Sequence, residues 1–166
     1  MRYAPHYDLP EKRFLPGQGP GKSRKSFHGW KFPECPAFLP ITSWEENAFY
    51  LYGIDLFNHG YFWEAHEVWG ESFRAARGLD KTQMLYFQSL VQIAAAFLHL
   101  LGKNRKAAQA TSQKAVNKLQ KIIACQGNIL MGNDLDKFKN HTIKQIQDPS
   151  RAFSNIALSF NQEIHP

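Results

Sequence analysis

The stretch between Asp80 and Gly102 constrains the fold of this chain more than any other part of it. Asp80 is a suitable helix N-cap and Gly102 a suitable stop, so we predict a helix over residues 81–101. Its side chains are apolar on nearly every side, as is typical of the buried centre of a helical bundle. The polar exceptions Gln88, Gln92 and His99 fall within roughly 40° of one another, at 100° per residue. They therefore form one stripe on that helix, and its members need hydrogen-bond partners where they are buried.

Helical periodicity and end signals predict further helices around this central one. The predicted ranges are 43–58, 61–77, 104–125 and 134–147, with a last helix beginning at Asp148-Pro149. Ser43 and Glu46 have the spacing of a capping box at the start of the first helix. No stretch shows sustained strand alternation. The sequence thus predicts an all-α protein, a compact bundle of four main helices plus one or two short C-terminal helices.

The first 40 residues differ in composition from the rest of the chain. They contain seven of the nine prolines, which remove helical hydrogen-bond donors, so we expect an extended arm. The arm also carries large apolar side chains, which a disordered tail rarely does. These are Phe14, Leu15, Phe27, Trp30, Phe32 and Phe38. We predict an arm of residues 1–42 that packs partly on a bundle domain of residues 43–166, with residues 18–25 looser.

The formal net charge of +6 is unevenly distributed. Residues 1–31 hold seven basic and two acidic side chains, so five of the six excess charges lie in the arm. The bundle is close to neutral, and net charge is therefore weak evidence for a nucleic-acid partner.

The cysteines and the apolar runs indicate the compartment in which the protein resides. Cys35 and Cys125 are the only cysteines and have no metal-type spacing, so we read them as reduced thiols. The longest apolar run, Leu90–Leu101, is about 12 residues long, whereas a bilayer needs about 20. No signal-peptide pattern follows Met1. We expect a cytoplasmic protein that does not enter a membrane.

Polar side chains on three predicted helices could converge on one pocket. His66 lies at the edge of the apolar face of the helix over 61–77, and Glu64 lies on the opposite side of that helix. Histidine suits proton transfer or ligand binding near neutral pH. The candidate pocket residues are Asp55, Asn58, Trp63, Glu64, His66, Glu67, Gln88, Gln92 and His99. The alternatives are a structural hydrogen-bonded network that fixes helix register, and polar groups that do not meet.

Known catalytic and metal motifs do not fit this sequence. The run from His66 to Gly70 begins like the zinc-protease motif HExxH, but Gly70 replaces the second histidine. The two Glu-x-x-His pairs of a di-iron bundle are missing as well. A single divalent metal held by His66, His99 and a carboxylate stays open, and no other cofactor is predicted. The sequence establishes no reaction.

Clusters of basic side chains indicate an alternative function, that of a binding module. Lys114, Lys118 and Lys121 form a stripe along the helix over 104–125, most simply a solvated face. In the arm, basic residues stand among glycines at Lys22, Arg24 and Lys25. Both groups suit contact with RNA or an acidic protein. A homo-oligomeric structural protein is a third alternative.

Two long motifs carry a family resemblance. The run LFNHGYFWEAHEVW, Leu56 to Trp69, and the run from Gln88 to Asn104 resemble signatures of the domain-of-unknown-function 309 family. The resemblance implies a compact all-helical, cytoplasmic protein and no established activity. The motif positions are Asn58, Glu64, His66, Glu67, Gln92 and His99. This chain has Gly70 where the family pattern usually has Glu, Phe73 for Trp and Ser89 for Gly.

Overall fold

A computed structural model describes residues 2–14 and 37–148. A 3₁₀-helix, Ile41–Glu46, is followed by α1 (Ala48–Asn58), α2 (Phe62–Ala76), α3 (Lys81–Leu101) and α4 (Arg105–Gln126). A two-stranded hairpin of β1 (Ile129–Leu130) and β2 (Asn133–Asp134) leads into α5 (Leu135–Gln147). The predicted all-α bundle is confirmed. The predicted helix after Asp148 lies outside the described residues, and the domain boundary at residue 42 stays a prediction.

Helix α3 is the centre of the bundle, as its apolar sequence predicts. It packs against α2 on one side and α4 on the other, while α1 packs on α2 and α5 on α4. The Phe62 and Phe97 rings stack at 5.0 Å and fix the register between α2 and α3. By length and composition α3 could cross a membrane, but the core helix of a bundle passes the same test, and half of its most apolar window is buried.

The helices begin where a side chain satisfies a free backbone donor. Asp80 accepts a hydrogen bond from the Gln83 N–H at the start of α3, as predicted. The capping box predicted at Ser43 is wrong, because Ser43 lies inside the 3₁₀-helix and Asn47 caps α1 by accepting from the Tyr50 N–H. The 3₁₀-helix therefore takes up the first turn that the sequence pattern assigns to α1.

The hairpin between α4 and α5 is a strand pair that the sequence did not predict. Its two-residue turn has positive φ at both Met131 (48°) and Gly132 (73°), the backbone signs of a type I′ turn. The Tyr50 hydroxyl donates to the Met131 carbonyl at 3.0 Å, and the Asn133 amide donates to the Tyr86 hydroxyl at 3.0 Å. These bonds join the hairpin to the first turn of α1 and the second turn of α3.

One glycine allows α1 and α2 to approach closely. A Cβ atom added at Gly53 would lie 2.1 Å from Nε1 of Trp69, which is fully buried. The Trp69 indole N–H donates to the Tyr50 carbonyl at 3.3 Å. The indole therefore lies directly on the backbone of α1, where no side chain fits.

Candidate functional site

The predicted polar set divides into two groups in the structure. Asp55 and Glu64 are almost fully buried and face the N-terminal arm, residues 2–14. The other group lies half-buried along α2 and α3. Its members are His66, Glu67, Gln88, Gln92 and His99. Asn58, the last residue of α1, and Trp63, whose ring centroid lies 5.3 Å from that of Phe14, are also half-buried.

Asp55 holds the start of the arm on α1. Its carboxylate is only 1% exposed and accepts the main-chain N–H groups of Tyr3 and Ala4, each at 2.8 Å. Arg2 adds an ion pair, with Nε 3.5 Å from Oδ2. A buried carboxylate is tolerated only when such partners replace its water. Asp55 thus fixes three consecutive arm residues.

The middle of the arm packs against aromatic residues of α1 and the start of α2. The Tyr7 ring stacks on Tyr52 at 5.0 Å, and the Tyr52 hydroxyl donates to the Asp8 carbonyl at 2.8 Å. Further along, the Arg13 guanidinium lies over the Tyr61 ring at 5.4 Å, within cation–π range. Aromatic contact therefore continues from the Asp55 end of the arm to the Glu64 end.

Glu64 holds the other end of the arm. It is 2% exposed, and its Oε1 accepts the Phe14 N–H at 2.9 Å. Its Oε2 is buried without a hydrogen-bond partner among the residues described. Burial raises the pKa of Glu64 to about 7, against the lowering effects of the Phe14 N–H, its own main-chain N–H and the Arg13 charge. The sequence places Glu64 opposite the apolar face of α2, and the arm covers it there.

The second group lies half-buried on α2 and α3, and one of its members contacts α4. His66 Nδ1 lies 3.1 Å from Glu67 Oε1, with the two side chains 34% and 12% exposed. On α3, the Gln92 Oε1 accepts a hydrogen bond from Lys118 Nζ of α4 at 3.0 Å. We use the name polar face for this half-buried set, His66, Glu67, Gln88, Gln92 and His99, together with Lys118. Five of its residues come from the predicted pocket, and Lys118 comes from the predicted lysine stripe.

The helix register separates the two histidines along the bundle. Because Phe62 stacks on Phe97 in antiparallel helices, His66 is level with about Ile93. His99 lies six residues further along α3, or about 9 Å at 1.5 Å per residue. Within residues 2–14 and 37–148, no group of three or more His, Cys, Asp or Glu side chains could hold a metal ion. A metal held by His66, His99 and a carboxylate stays a prediction without support from these residues.

Of the six basic residues predicted to contact a partner, the structure describes the three on α4. Lys114 and Lys121 are exposed on α4, whereas Lys118 is half-buried beside Gln92. Burial, and then the charges of Lys114 and Lys121, lower the pKa of Lys118. The arm residues Lys22, Arg24 and Lys25 lie outside the described residues.

Sequence reasoning did not identify the arm residues that meet Asp55 and Glu64. Asp55 stands inside the apolar run from Phe49 to Phe57, and an acid in such a run indicates a buried partner. Nothing in the sequence points to Tyr3, Ala4 or Phe14 as that partner, because the contacts use main-chain N–H groups.

Comparison with known proteins agrees with the motifs. Residues 50–111 match the family model described as "Domain of unknown function (DUF309)". The match confirms the resemblance to that family over these residues of the helical bundle. The comparison with curated proteins found no match, and the comparison with solved structures found none either.

Proposed function

We propose that this protein is a binding domain whose polar face docks an acidic segment of a partner protein. The observation that carries the proposal is the 3.0 Å hydrogen bond from Lys118 Nζ to Gln92 Oε1. It joins the lysine stripe of α4 to the polar stripe of α3, so that basic and polar side chains from two helices lie next to each other. Among the described residues, the ammonium group donates to uncharged oxygens, those of Gln92 and of the Lys114 carbonyl, and an incoming carboxylate would add a countercharge.

The side chains around the polar face favour a protein partner over a nucleic acid. Val91 and Leu98 are half-buried on α3, so apolar area is available beside its polar stripe. Protein interfaces combine such an apolar centre with a polar rim, whereas non-specific nucleic-acid binding rests mainly on phosphate contacts. Lys114 and Lys121 would lie at the rim of the interface and attract the acidic segment before contact.

The test is a binding titration at low ionic strength, followed by fluorescence anisotropy. The probe is a labelled helical peptide of glutamate and leucine, and a labelled single-stranded DNA is measured in parallel. Lys118→Gln removes the central charge, and Lys137→Gln, on an exposed residue of α5, is the matched control. A solvent-accessible ion pair contributes about 0.2–1 kcal/mol, so we expect Lys118→Gln to raise the Kd of the peptide by a factor of about 1.4 to 5.

Each outcome decides the proposal. Weaker binding by Lys118→Gln with unchanged binding by Lys137→Gln supports it. Equal weakening by the two substitutions shows non-specific charge attraction and overturns it. Tighter binding of the DNA than of the peptide replaces the acidic protein with a nucleic acid, and the absence of peptide binding refutes the proposed face.

A further inference from the structure

The surface under the N-terminal arm is a groove built by the DUF309 domain. We call it the arm groove and define it by Tyr52, Asp55, Tyr61, Trp63 and Glu64, on α1 and the first turn of α2. All five residues lie within the matched range 50–111, whereas the arm that fills the groove, residues 2–14, lies outside it.

The arm groove binds its occupant largely through the main chain. Two buried carboxylates accept three main-chain N–H groups, those of Tyr3, Ala4 and Phe14. Between these ends a groove hydroxyl donates to a main-chain carbonyl, that of Asp8. Recognition of main-chain groups at both ends and in the middle is how proteins hold extended peptides of another chain.

We propose that the arm groove is a docking site for an extended peptide of a partner protein, which competes with residues 2–14 for the same contacts. The arm defines the chemistry of that peptide. It has an arginine to pair with Asp55, main-chain N–H groups at the next two positions, and an aromatic ring five residues after the arginine, where Tyr7 lies. A further main-chain N–H, eleven residues after the first one, donates to Glu64.

The arm is a strong competitor because it belongs to the same chain. Residues 15–36 join it to residue 37, and a tether of about this length gives an effective concentration in the millimolar range. A partner peptide of equal intrinsic affinity must exceed that concentration, and a more dilute one must bind the groove more tightly or meet a weakened arm. The groove is separate from the polar face, so this proposal does not depend on the proposed function.

The experiment measures binding of a labelled synthetic peptide of residues 2–14, capped at both ends, to the full chain. A variant with a weakened arm, Arg2→Ala with Phe14→Pro, loses the ion pair to Asp55 and the N–H that bonds to Glu64. Because hydrogen bonds to charged groups are strong, we expect this variant to bind the peptide at least about tenfold more tightly than the wild type does. Circular dichroism confirms that the variant is folded.

Two N-methylated peptides give a matched comparison that leaves the protein unchanged. N-methylation of Tyr3 removes the N–H that bonds to Asp55, whereas N-methylation of exposed Lys12 removes an N–H with no bond to any described residue. We expect only the first to weaken binding, by about tenfold or more. In the wild-type chain, excess peptide should also speed hydrogen exchange at the Tyr3 and Phe14 amides.

The outcomes separate a docking site from a permanently closed contact. Equal affinity of the wild type and the weakened-arm variant would refute competition. Equal effects of the two N-methyl groups would refute main-chain recognition. If the weakened-arm variant does not fold, unchanged exchange at Tyr3 and Phe14 in the wild type with excess peptide overturns the proposal.

Discussion

The substitution Asp55→Ala tests whether one buried carboxylate anchors the arm. In the folded protein this carboxylate accepts two main-chain N–H groups at 2.8 Å and pairs with Arg2 at 3.5 Å. Alanine accepts no hydrogen bond and leaves both donors without their partner. We expect the arm to leave α1 and the free energy of unfolding to fall.

The size of this effect follows from opposing contributions. Hydrogen bonds to a charged group stabilise by about 1.5–3 kcal/mol each, so two of them give about 3–6 kcal/mol. The substitution also removes the cost of burying a charge, several kcal/mol for an ion with imperfect pairing, which offsets part of that loss. Detachment of the arm limits the loss further, because water then solvates the freed N–H groups. We therefore expect a net loss of about 2–4 kcal/mol.

Two measurements check the Asp55 prediction. Urea unfolding followed by tryptophan fluorescence gives the free energy, and trypsin cleavage after the exposed residues Lys12 and Arg13 reports on arm detachment. Asp8→Ala is the matched control, since it removes an exposed acid from the same arm and should change stability by less than about 0.5 kcal/mol. The reasoning is refuted if Asp55→Ala and Asp8→Ala unfold at the same urea concentration and are cleaved at the same rate.

Three further predictions concern Glu64, the helix glycines and the hairpin. The folded protein keeps the Glu64 proton up to its pKa of about 7, whereas the unfolded chain releases it near 4.5, so stability falls as pH rises between these values. Glu64→Gln should remove this loss of stability, which is on the order of 3 kcal/mol. Urea titrations at several pH values that give the wild type and Glu64→Gln the same pH dependence would contradict the prediction. Gly53→Ala forces a Cβ to 2.1 Å from a buried indole and should cost about 3 kcal/mol. Gly70→Ala, whose nearest neighbour lies at 3.8 Å, should instead stabilise α2 by about 0.5–1 kcal/mol in thermal melts. Tyr86→Phe removes the hydroxyl that accepts from the hairpin and should cost about 1–3 kcal/mol in the same melts, and no change would show that this bond is not needed.

Helix boundaries were predictable from the sequence where the signal is local. Asp80 and Asn104 cap α3 and α4 through N–H groups three residues later, so the cap and its partner lie in one short window. Ser43 and Glu46 have the same spacing but lie in a 3₁₀-helix, because the chain turns once more at Asn47 before α1 begins. The spacing of a capping box therefore indicates that a helix begins nearby, but it does not show which of two adjacent turns is the first turn of that helix.

The candidate site was predictable only in part, because its partners are distant in sequence. The polar residues of α2 and α3 follow from helical periodicity. Lys118 and Gln92 meet across 26 positions, and Tyr3 and Asp55 meet across 52. Periodicity within one helix contains no information about which helix packs beside it.

Main-chain recognition explains both why the arm contacts were missed and what the groove can select. Every residue except proline carries an N–H, so the donors that reach Asp55 and Glu64 leave no mark on the arm sequence. Hydrogen bonding therefore sets no residue type at those positions of a competing peptide beyond the exclusion of proline, although Ala4 is 1% exposed and the Phe14 ring lies 5.3 Å from that of Trp63. Selectivity must then come from the side-chain contacts, the Arg2 ion pair and the Tyr7 stack on Tyr52. A peptide that keeps these two side chains should compete with the arm better than one that keeps only its remaining residues.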